Sequence, residues 1–344
     1  MKLSACGIDL AKTVFQVHGV DLHGKPCLRK QLRRAEMLTF FVKIEPCLTG
    51  MEACGSAHYW ARMSEMGPTV KLMAPQFVKP YVKTNKNDVA DAEAICEAVT
   101  RPNMRFVAIK TEQQALLAIH RARQGFVKAR TAQANQIRGL LAEFGIVMPQ
   151  GLCNLGPRLA SLCDESTGQL PGSFCALLQR LAENLKELDC QVEELGKEIQ
   201  LWHAHSEASR RLAEIPGIGP ITASALVASI GDAHCFKNGR QLAAWLGLVP
   251  RQHSSGGKQV LLGISKRGDC YLRTLLIHGA CAVLRHAERK VETATSWLGR
   301  LLSRRNKNVA AVALANKNAR RVWALLMHDD RRFHSDYVPA SAGT

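Results

Sequence analysis

The sequence has no apolar run approaching the ~20 residues that a membrane-spanning helix needs. Its start also lacks the apolar centre of a signal peptide, because Asp9 follows soon after Lys2. None of its 12 cysteines forms a Cys-x-x-Cys pair, and the closest two are Cys47 and Cys54. This spacing argues against a zinc site and against a disulfide framework. We therefore predict a cytoplasmic protein without a cysteine-held metal cluster.

Length and composition indicate a folded chain of more than one structural unit. The chain has 344 residues, of which 47% are hydrophobic and 22% are charged. This balance supplies enough apolar material for a packed core and excludes a disordered tail. A chain of this length favours two or three units.

Positive charge is abundant and unevenly distributed. The formal net charge is +17, made up of +3 over residues 1–100, +6 over 101–150, −4 over 151–200 and +12 over 201–344. Charge that serves only solubility normally mixes both signs more evenly. Two basic blocks separated by an acidic one favour polyanion-binding surfaces, and nucleic acid is the expected partner.

The first hundred residues show an ordered pattern of strands and helices. Short apolar or β-branched runs cover residues 3–8, 13–20, 46–51 and 69–73, and a hairpin loop at 21–25 leads into a further strand. Segments with helical spacing follow the later runs. Three antiparallel strands that continue into strand–helix units are the element order of the ribonuclease H fold. We expect an α/β domain of this type.

Two long helices are predicted after this domain. The first covers residues 111–145, and a stretch punctuated by glycine and proline at about 146–172 is interpreted as a linker. The second has apolar residues at alternating spacings of three and four: Leu178, Leu181, Leu185, Leu188, Val192, Leu195 and Ile199. This seam favours a coiled coil, whose partner is either the 111–145 helix or a second subunit. We expect a homo-oligomer, either a dimer or a tetramer.

The last third of the chain is expected to be mostly helical and begins with a glycine-rich turn. Residues 215–220 read IPGIGP and precede an apolar helix. We interpret this turn as the hairpin of a helix-hairpin-helix element. Gly217 and Gly219 would then let backbone N–H groups approach a phosphate.

Four acidic residues stand out by their positions. Asp9 ends the first strand, Glu52 ends the fourth, and Asp88 and Asp91 lie on one face at the start of a helix. In a ribonuclease H sheet the first and fourth strands are neighbours, so these carboxylates would converge. Such a cluster needs cations, and hard oxygen ligands select Mg²⁺, with two ions able to promote phosphodiester chemistry.

Each acid alone has a purely structural interpretation. Asp9 is also typical of a strand end, and Glu52 of a solvated helix cap. Asp88 is also typical of an N-cap, and Asp91 of a residue that stabilises a helix dipole. Taken together with the element order and the charge, the metal-binding interpretation is favoured.

Five separated motifs match one known family. They are residues 7–12 (GIDLAK), 51–58 (MEACGSAH), 85–92 (NKNDVADA), 215–219 (IPGIG) and 247–257 (GLVPRQHSSGG). The chain resembles the DEDD-type transposases of the 110/1111 group of insertion sequences. The match runs in order from about residue 5 to about residue 325.

The resemblance implies a fold, a chemistry and partners. It implies a RuvC-like domain at 1–110, coiled-coil helices at 111–205, a transposase domain at 206–330 and a tail at 331–344. Asp9, Glu52, Asp88 and Asp91 correspond to the DEDD metal ligands, and the catalytic serine corresponds to Ser255, with adjacent Ser254 as the alternative. Family members use a structured guide RNA to choose DNA sites, and they exchange strands as multimers through a covalent serine–DNA intermediate.

The residues themselves say less about this serine. The sequence 254–257 (SSGG) is typical of a flexible surface loop. No acid or base except His253 lies close by in the sequence, so the role of Ser255 depends on the resemblance. Metal coordination can also activate a weak nucleophile.

Basic residues near these motifs are the expected nucleic-acid contacts. Arg251 precedes the serine loop, and further cations lie beside a turn and a helix start. Such residues position a duplex through its phosphates, although each is also typical of a solvated face. The predicted nucleic-acid contacts are Lys12, Lys86, Gly217, Gly219, Arg251, Lys266, Arg267 and Arg273. Trp297 and Trp323 are interpreted as core anchors.

Three functions are compatible with these features. The first is an RNA-guided DNA recombinase that moves its own insertion sequence. The second is a Mg²⁺-dependent Holliday-junction-type nuclease that uses water as its nucleophile. The third is a non-catalytic nucleic-acid-binding scaffold in which the acids are structural. The large basic second domain favours the first, because a nuclease has no use for it and a scaffold leaves four matched carboxylates unexplained.

Overall fold

The structure is a computed structural model. It describes residues 2–62, 68–83, 87–110, 113–162, 170–287, 296–328, 330 and 332–333. The chain divides into two compact units. The first contains residues 1–112 together with 230–237, and the second contains residues 113–229 and 238–344. No helix among the described residues is both long enough and apolar enough to span a bilayer.

The first unit is an α/β domain built on one mixed sheet. Its elements are β1 (Ala5–Leu10), β2 (Val14–Val20), β3 (Pro26–Arg33), α1 (Met37–Lys43), β4 (Leu48–Glu52), α2 (Ala57–Ala61), β5 (Thr69–Met73), α3 (Pro75–Val78), α4 (Asp88–Val99) and β6 (Phe106–Val107). The strand order is β3-β2-β1-β4-β5-β6. β1 pairs antiparallel with β2 and parallel with β4, and β5 is parallel to β4. The predicted α/β class is confirmed, and the arrangement is consistent with a RuvC-like fold. The two-residue strand β6 was not predicted.

Helix α4 lies directly on the β1–β4 part of the sheet, because two glycines leave room for it. A Cβ built on Gly7 would collide with the backbone of Ala92 and Cys96 in α4. A Cβ built on Gly50, the β4 partner of Gly7, would lie 2.8 Å from Cβ of Val99. The opposite face of the sheet carries a large apolar cluster that includes Ile8, Phe15, Leu32, Phe41, Met51 and Trp60. The domain therefore has cores on both faces of its sheet, which explains the apolar character of β1 and β4.

The second unit is mostly helical, as expected. Its elements are α5 (Gln113–Ala142), α6 (Leu155–Leu162), α7 (Gly172–His205), α8 (Glu207–Ala213), α9 (Pro220–Ile230), α10 (Gly239–Trp245), β7 (Pro250–Gln252), β8 (Leu261–Ile264), α11 (Cys270–Ala287), α12 (Trp297–Leu302) and α13 (Lys307–Met327). A short 3₁₀ turn at Ala233–Cys235 lies in the segment that belongs to the first unit.

The two long helices α5 and α7 pack against each other in antiparallel orientation. Leu116, near the start of α5, shares a cluster with Ile199 near the end of α7. Arg130 Nη1 and Asp189 Oδ1 pair at 2.7 Å in the middle of the two helices. Ala134, Ile137 and Leu141 cluster with Leu178 and Leu185 at the opposite end. Helix α5 is therefore a partner of the leucine seam within the chain, and a second subunit remains a prediction.

The segment 146–172 was predicted as a linker, but part of it is a packed helix. Leu155, Leu159 and Leu162 of α6 are buried in the cluster formed by α5 and α7. Gly156 and Pro157 lie in the first turn of this short helix, where proline is tolerated, and the other glycines and prolines lie outside it. Its three leucines have helical spacing. The linker interpretation is therefore wrong for residues 155–162.

Candidate functional site

Asp9 and Glu52 lie at the ends of neighbouring strands. In the parallel pair β1–β4, Gly7 lies opposite Gly50 and Ile8 opposite Met51. Asp9 and Glu52 are the next residues in the two strands, and both are half-buried. The predicted convergence of the first and fourth strands therefore agrees with the sheet register.

The two carboxylates share the face of the sheet that α4 covers. Side chains alternate between faces along a strand, so Asp9 lies on the face of Gly7 and Glu52 on the face of Gly50. Both glycines contact α4. The first turn of α4 carries the remaining two predicted acids.

The thiol of Cys54 lies close enough to Glu52 and Asp9 for both negative charges to affect its pKa. Burial raises the pKa of Cys54, and the negative charges of Glu52 and then Asp9 raise this pKa further. Cys54 Sγ also lies 4.0 Å from the carbonyl oxygen of Leu10, directly beyond Asp9. A concentration of negative charge at this edge of the sheet is what a divalent cation requires.

Asp88 and Asp91 belong to the first turn of α4, but neither caps it. The N-cap is Asn87, whose side chain accepts a hydrogen bond from the backbone N–H of Ala90 at 2.7 Å. The N-cap interpretation of Asp88 is therefore wrong. Asp88 is exposed, Asp91 is half-buried, and Asp88 lines an open cavity together with Gln16. Gln16 is the β2 partner of Asp9, which relates this helix turn to the strand-end acids.

The four carboxylates do not form a closed ligand cage. Among the residues that the structure describes, no three His, Cys, Asp or Glu side chains are grouped closely enough to hold a metal ion. Asp9 and Glu52 nevertheless supply hard oxygen donors on one face, where Mg²⁺ ligands are suited. These oxygen donors fit a divalent cation, and Asp9 and Glu52 are the two residues best placed to hold it.

Ser255 lies at the tip of an exposed β-hairpin in the second unit. Strands β7 and β8 pair antiparallel, and Ser255 and Lys258 form a further bridge closed by Gly256 and Gly257. Both glycines have positive φ, at 55° and 78°, as a two-residue type I′ turn demands. All residues from 251 to 263 are exposed. The sequence indicated a flexible loop, whereas the structure has a paired hairpin that presents Ser255 to solvent.

Most of the predicted cationic contacts are exposed. Lys12 lies between β1 and β2, and Arg251 lies in β7. Lys266 and Arg267 precede α11, and Lys266 adopts a left-handed conformation with φ 54°. Lys86 lies outside the described residues.

Arg273 is not an exposed phosphate contact. It is only 8% exposed, and its Nη1 donates to the carbonyl oxygens of Leu246 and Arg267, both at 3.1 Å. A guanidinium that satisfies two backbone carbonyls positions the segment that carries Lys266 and Arg267. The prediction that Arg273 binds nucleic acid is therefore wrong, because its position in sequence did not reveal its burial.

The two glycines of the IPGIGP turn have different surroundings. Gly217 has φ 89° and contacts the backbone of Gly279 in α11. The carbonyl of the preceding Pro216 accepts a hydrogen bond from Asn318 Nδ2 at 2.9 Å. Gly219, just before α9, is exposed and has no atom within 4 Å of a built Cβ. Only Gly219 has the open surroundings that a phosphate contact requires.

Sequence reasoning missed a buried polar network in the second unit. His120 of α5 is fully buried; its Nδ1 lies 3.0 Å from the Tyr271 hydroxyl and its Nε2 lies 3.1 Å from Ser224 Oγ. Burial and the positive charges of Arg123 and Arg121 lower the pKa of His120 to about 4. The network joins α5, α9 and α11, which lie far apart in sequence, so no local signal could reveal it.

Trp297 differs from its interpretation as a core anchor. Its side chain is 38% exposed, and the Lys317 Nζ lies 4.3 Å from the centroid of its ring. The residue type suggested burial, but α12 has only six residues and none of them is buried.

The α/β first unit is consistent with a RuvC-like fold, and the comparisons with known proteins identify a DEDD-type transposase. Residues 6–146 match a family described as an IS110-type DEDD transposase, and residues 209–295 match the transposase IS116/IS110/IS902 family. The chain is 54% identical over 333 residues to a Pseudomonas aeruginosa protein named "Probable family 20 transposase", covering 96% of this chain and 98% of that protein.

Two further relatives are named for insertion sequences. The transposase of IS1111A from Coxiella burnetii is 46% identical over 327 residues, covering 94% of this chain and 90% of the relative. The transposase of IS1328 from Yersinia enterocolitica is 45% identical over 321 residues, covering 93% and 95%. The chain belongs to the IS110/IS116/IS902 family of transposases. The predicted resemblance is confirmed.

Proposed function

We propose that this transposase exchanges DNA strands in a Mg²⁺-dependent reaction, with Asp9, Glu52, Asp88 and Asp91 as metal ligands and Ser255 as nucleophile. The observation that carries the proposal is the placement of Asp9 and Glu52 at the ends of adjacent parallel strands, on one face. The chain would divide this work between residues 1–110, which hold the acids, and residues 206–330, which hold the serine.

DNA is the substrate, and a structured RNA is the guide. The net charge of +12 over residues 201–344 suits a polyanion, and the exposed cations Arg251, Lys266 and Arg267 lie on either side of the serine hairpin in sequence. Two relatives are named as transposases of insertion sequence elements, and such elements are DNA. The guide RNA follows from the family resemblance, and the basic surface is compatible with it.

The serine step is a transesterification. Ser255 Oγ attacks the scissile phosphorus, a phosphodiester P–O bond breaks, and a serine phosphoester forms. The serine proton passes to solvent water, and the departing DNA oxygen takes up a proton from solvent to become a hydroxyl. A divalent ion held by the carboxylates would activate the attacking oxygen and stabilise the leaving oxygen. The exposed hairpin tip gives Ser255 access to a duplex, and the four acids would hold the ion.

A covalent-trap assay tests the proposal. The full-length protein with its co-purifying RNA is mixed with labelled element-end DNA, with Mg²⁺ or with EDTA. We expect a denaturation-resistant protein–DNA band in the wild type that Ser255→Ala, Asp9→Asn and EDTA each abolish. Ser254→Ala and Glu45→Gln, an exposed acid of the first unit, serve as matched controls and should retain the band.

The same assay separates the alternatives. Cleavage without a covalent band, lost only in Asp9→Asn, would overturn the serine nucleophile and favour the junction nuclease. A band that persists in Ser255→Ala but not in Ser254→Ala would identify Ser254 as the nucleophile. Binding without any cleavage under all conditions would favour the scaffold. Ribonuclease treatment before DNA addition should abolish site choice if an RNA guides the enzyme.

A further inference from the structure

An open groove lies between the polar side of the sheet and the first turns of α4. It has a volume of about 730 Å³ and is lined by Gln16, Arg29, Gln31, Asn87, Asp88, Val89, Ala90 and Glu93. Gln16 comes from β2, Arg29 and Gln31 come from β3, and the others come from α4 or its N-cap. Three elements of the first unit thus build one cavity.

The strand register places this groove beside the proposed metal ligands. Gln16 is the Cα partner of Asp9 across β1–β2 and of Gln31 across β2–β3. Directly opposed residues in a sheet point to the same face, so Asp9, Gln16 and Gln31 form a row across three strands. Adjacent strands lie about 4.8 Å apart, so Gln31 is roughly 10 Å from Asp9 along this row.

The groove exists because the face of the sheet under α4 carries glycines in β1 and β4 but longer polar side chains in β2 and β3. Under α4, β1 and β4 carry Gly7 and Gly50, and the helix packs tightly on them. At the level of Asp9, β2 and β3 carry the polar residues Gln16 and Gln31, and the first turn of α4 does not fill the space above them.

The groups on this face have unused hydrogen-bonding capacity. Within the described part of the chain, the side chains of Gln16 and Gln31 form no hydrogen bond. Two positions from Gln16 on the same face, His18 is 2% exposed, and its Nδ1 has no partner among the described residues. His18 does not line the groove, whereas Gln16 is half-buried and Gln31 exposed, so water solvates their amides and a polar ligand can displace it.

The chemistry of the lining favours a nucleobase over a phosphate. Glu93 Oε1 is paired with Lys83 Nζ at 3.2 Å, and the second oxygen of this carboxylate can accept a hydrogen bond from the exocyclic amino group of a base. Glutamine and asparagine amides pair with the donor and acceptor edge of a base, and Arg29 can hold the phosphate beside it. Val89, which is 45% exposed, adds an apolar surface for the ring.

We propose that this groove binds one unstacked base of the nucleotide next to the scissile phosphate, with Gln16 and Gln31 as the residues that recognise it. The inference rests on the proposed function of Asp9 as a ligand at the reacting phosphate. Under this proposal the protein itself recognises the base at the cleavage point, whereas a guide RNA would select the flanking sequence.

Fluorescence of a base analogue tests the groove without requiring catalysis. 2-Aminopurine is placed singly at each position around the cleavage point of element-end DNA, and the full-length protein with its co-purifying RNA is added in Ca²⁺. We expect increased fluorescence at one position next to the scissile phosphate in the wild type. The signal should fall to the free-DNA level in Gln16→Ala/Gln31→Ala and remain in Lys30→Ala, which alters the opposite face of β3.

Cleavage rates in Mg²⁺ provide the second readout. Removing the base at that position should slow wild-type cleavage at least about fivefold, the lower end of what one amide–base pair supplies. In Gln16→Ala/Gln31→Ala, intact and abasic DNA should be cleaved at equal rates. An unchanged fluorescence signal in the double variant, or no unstacked base at any flanking position in the wild type, would overturn the proposal that this groove binds a base.

The two proposals can fail separately. If cleavage does not depend on Asp9 while the double variant still loses the fluorescence signal, the groove stands and the carboxylate mechanism fails. If Asp9→Asn abolishes cleavage while the glutamine variants behave as wild type, the carboxylate mechanism stands and the groove fails.

Discussion

Gly217 and Gly279 meet backbone to backbone, with the carbonyl of each against the Cα of the other. A Cβ built on Gly217 would lie 2.8 Å from the carbonyl oxygen of Gly279, and a Cβ on Gly279 would collide with the carbonyl oxygen of Gly217. The contact fixes the turn between α8 and α9 against α11. Glycine is needed at 217 for this approach and for its φ of 89°.

We expect Gly217→Ala and Gly279→Ala each to destabilise the protein by about 2–4 kcal/mol, because the collision forces backbone shifts in a packed region. Thermal unfolding measures the effect. Gly219→Ala is the matched control, since a Cβ there meets no atom within 4 Å, and its melting temperature should equal that of the wild type. Equal melting temperatures for all three variants would contradict the contact.

Substitution of Arg273 should lower the stability of the protein, whereas substitution of Arg267 should lower its affinity for DNA. Arg273→Ala removes this donor from the buried carbonyl of Leu246 and from the partly exposed carbonyl of Arg267, so we expect a loss of roughly 1–3 kcal/mol in the free energy of unfolding. Arg267→Ala removes an exposed charge and should leave stability unchanged. It should weaken DNA binding and reduce the salt dependence of affinity by about one unit in the log–log slope. Urea unfolding and salt titrations of DNA binding separate the two roles; a full loss of affinity in folded Arg273→Ala would restore its predicted phosphate contact.

Acidification should destabilise the second unit through His120. Its pKa is lowered to about 4 in the folded protein, against an ordinary 6.5, so the unfolded chain binds the proton first as the pH falls. The stabilisation is complete above pH 6.5 and is lost between pH 6.5 and 4, at up to about 1.4 kcal/mol per pH unit. Between pH 7 and pH 5, the wild type should lose about 2 kcal/mol more stability than His120→Gln does. Urea unfolding at both pH values provides the test, and identical losses would show that His120 does not titrate in this way.

The packing of α6 can be tested with two variants. Leu155 is fully buried, so Leu155→Ala should reduce the free energy of unfolding by about 2–5 kcal/mol. Val147 lies in the same 146–172 segment but is 89% exposed, and Val147→Ala should change it by less than about 0.5 kcal/mol. Chemical denaturation compares them. A neutral Leu155→Ala would restore the linker interpretation.

The sheet and the positions of its acids were predictable because their signals are local. Short apolar or β-branched runs marked β1, β2, β4 and β5, and the acids Asp9 and Glu52 followed two of these runs directly. The neighbouring position of β1 and β4 followed from the order of the elements, and the sheet confirms it.

The remaining features depend on contacts between residues distant in sequence. The burial of Arg273 is set by the carbonyl of Leu246, and Gly217 requires Gly279 as its neighbour. His120 needs Ser224 and Tyr271 to satisfy its two ring nitrogens. No window of sequence contains such pairs, so spacing and residue type alone could not predict them.

The first unit is not one uninterrupted stretch of chain, since residues 230–237 belong with 1–112. A Cβ on Gly231, in that returning segment, would lie 3.5 Å from Cβ of Ala108. A single genetic crossover near residue 112 would therefore join the acids of one transposase to eight residues inherited from another. Exchange of this unit between family members requires three breakpoints, near residues 112, 229 and 237, which constrains how chimaeras are built and how the two units can diverge.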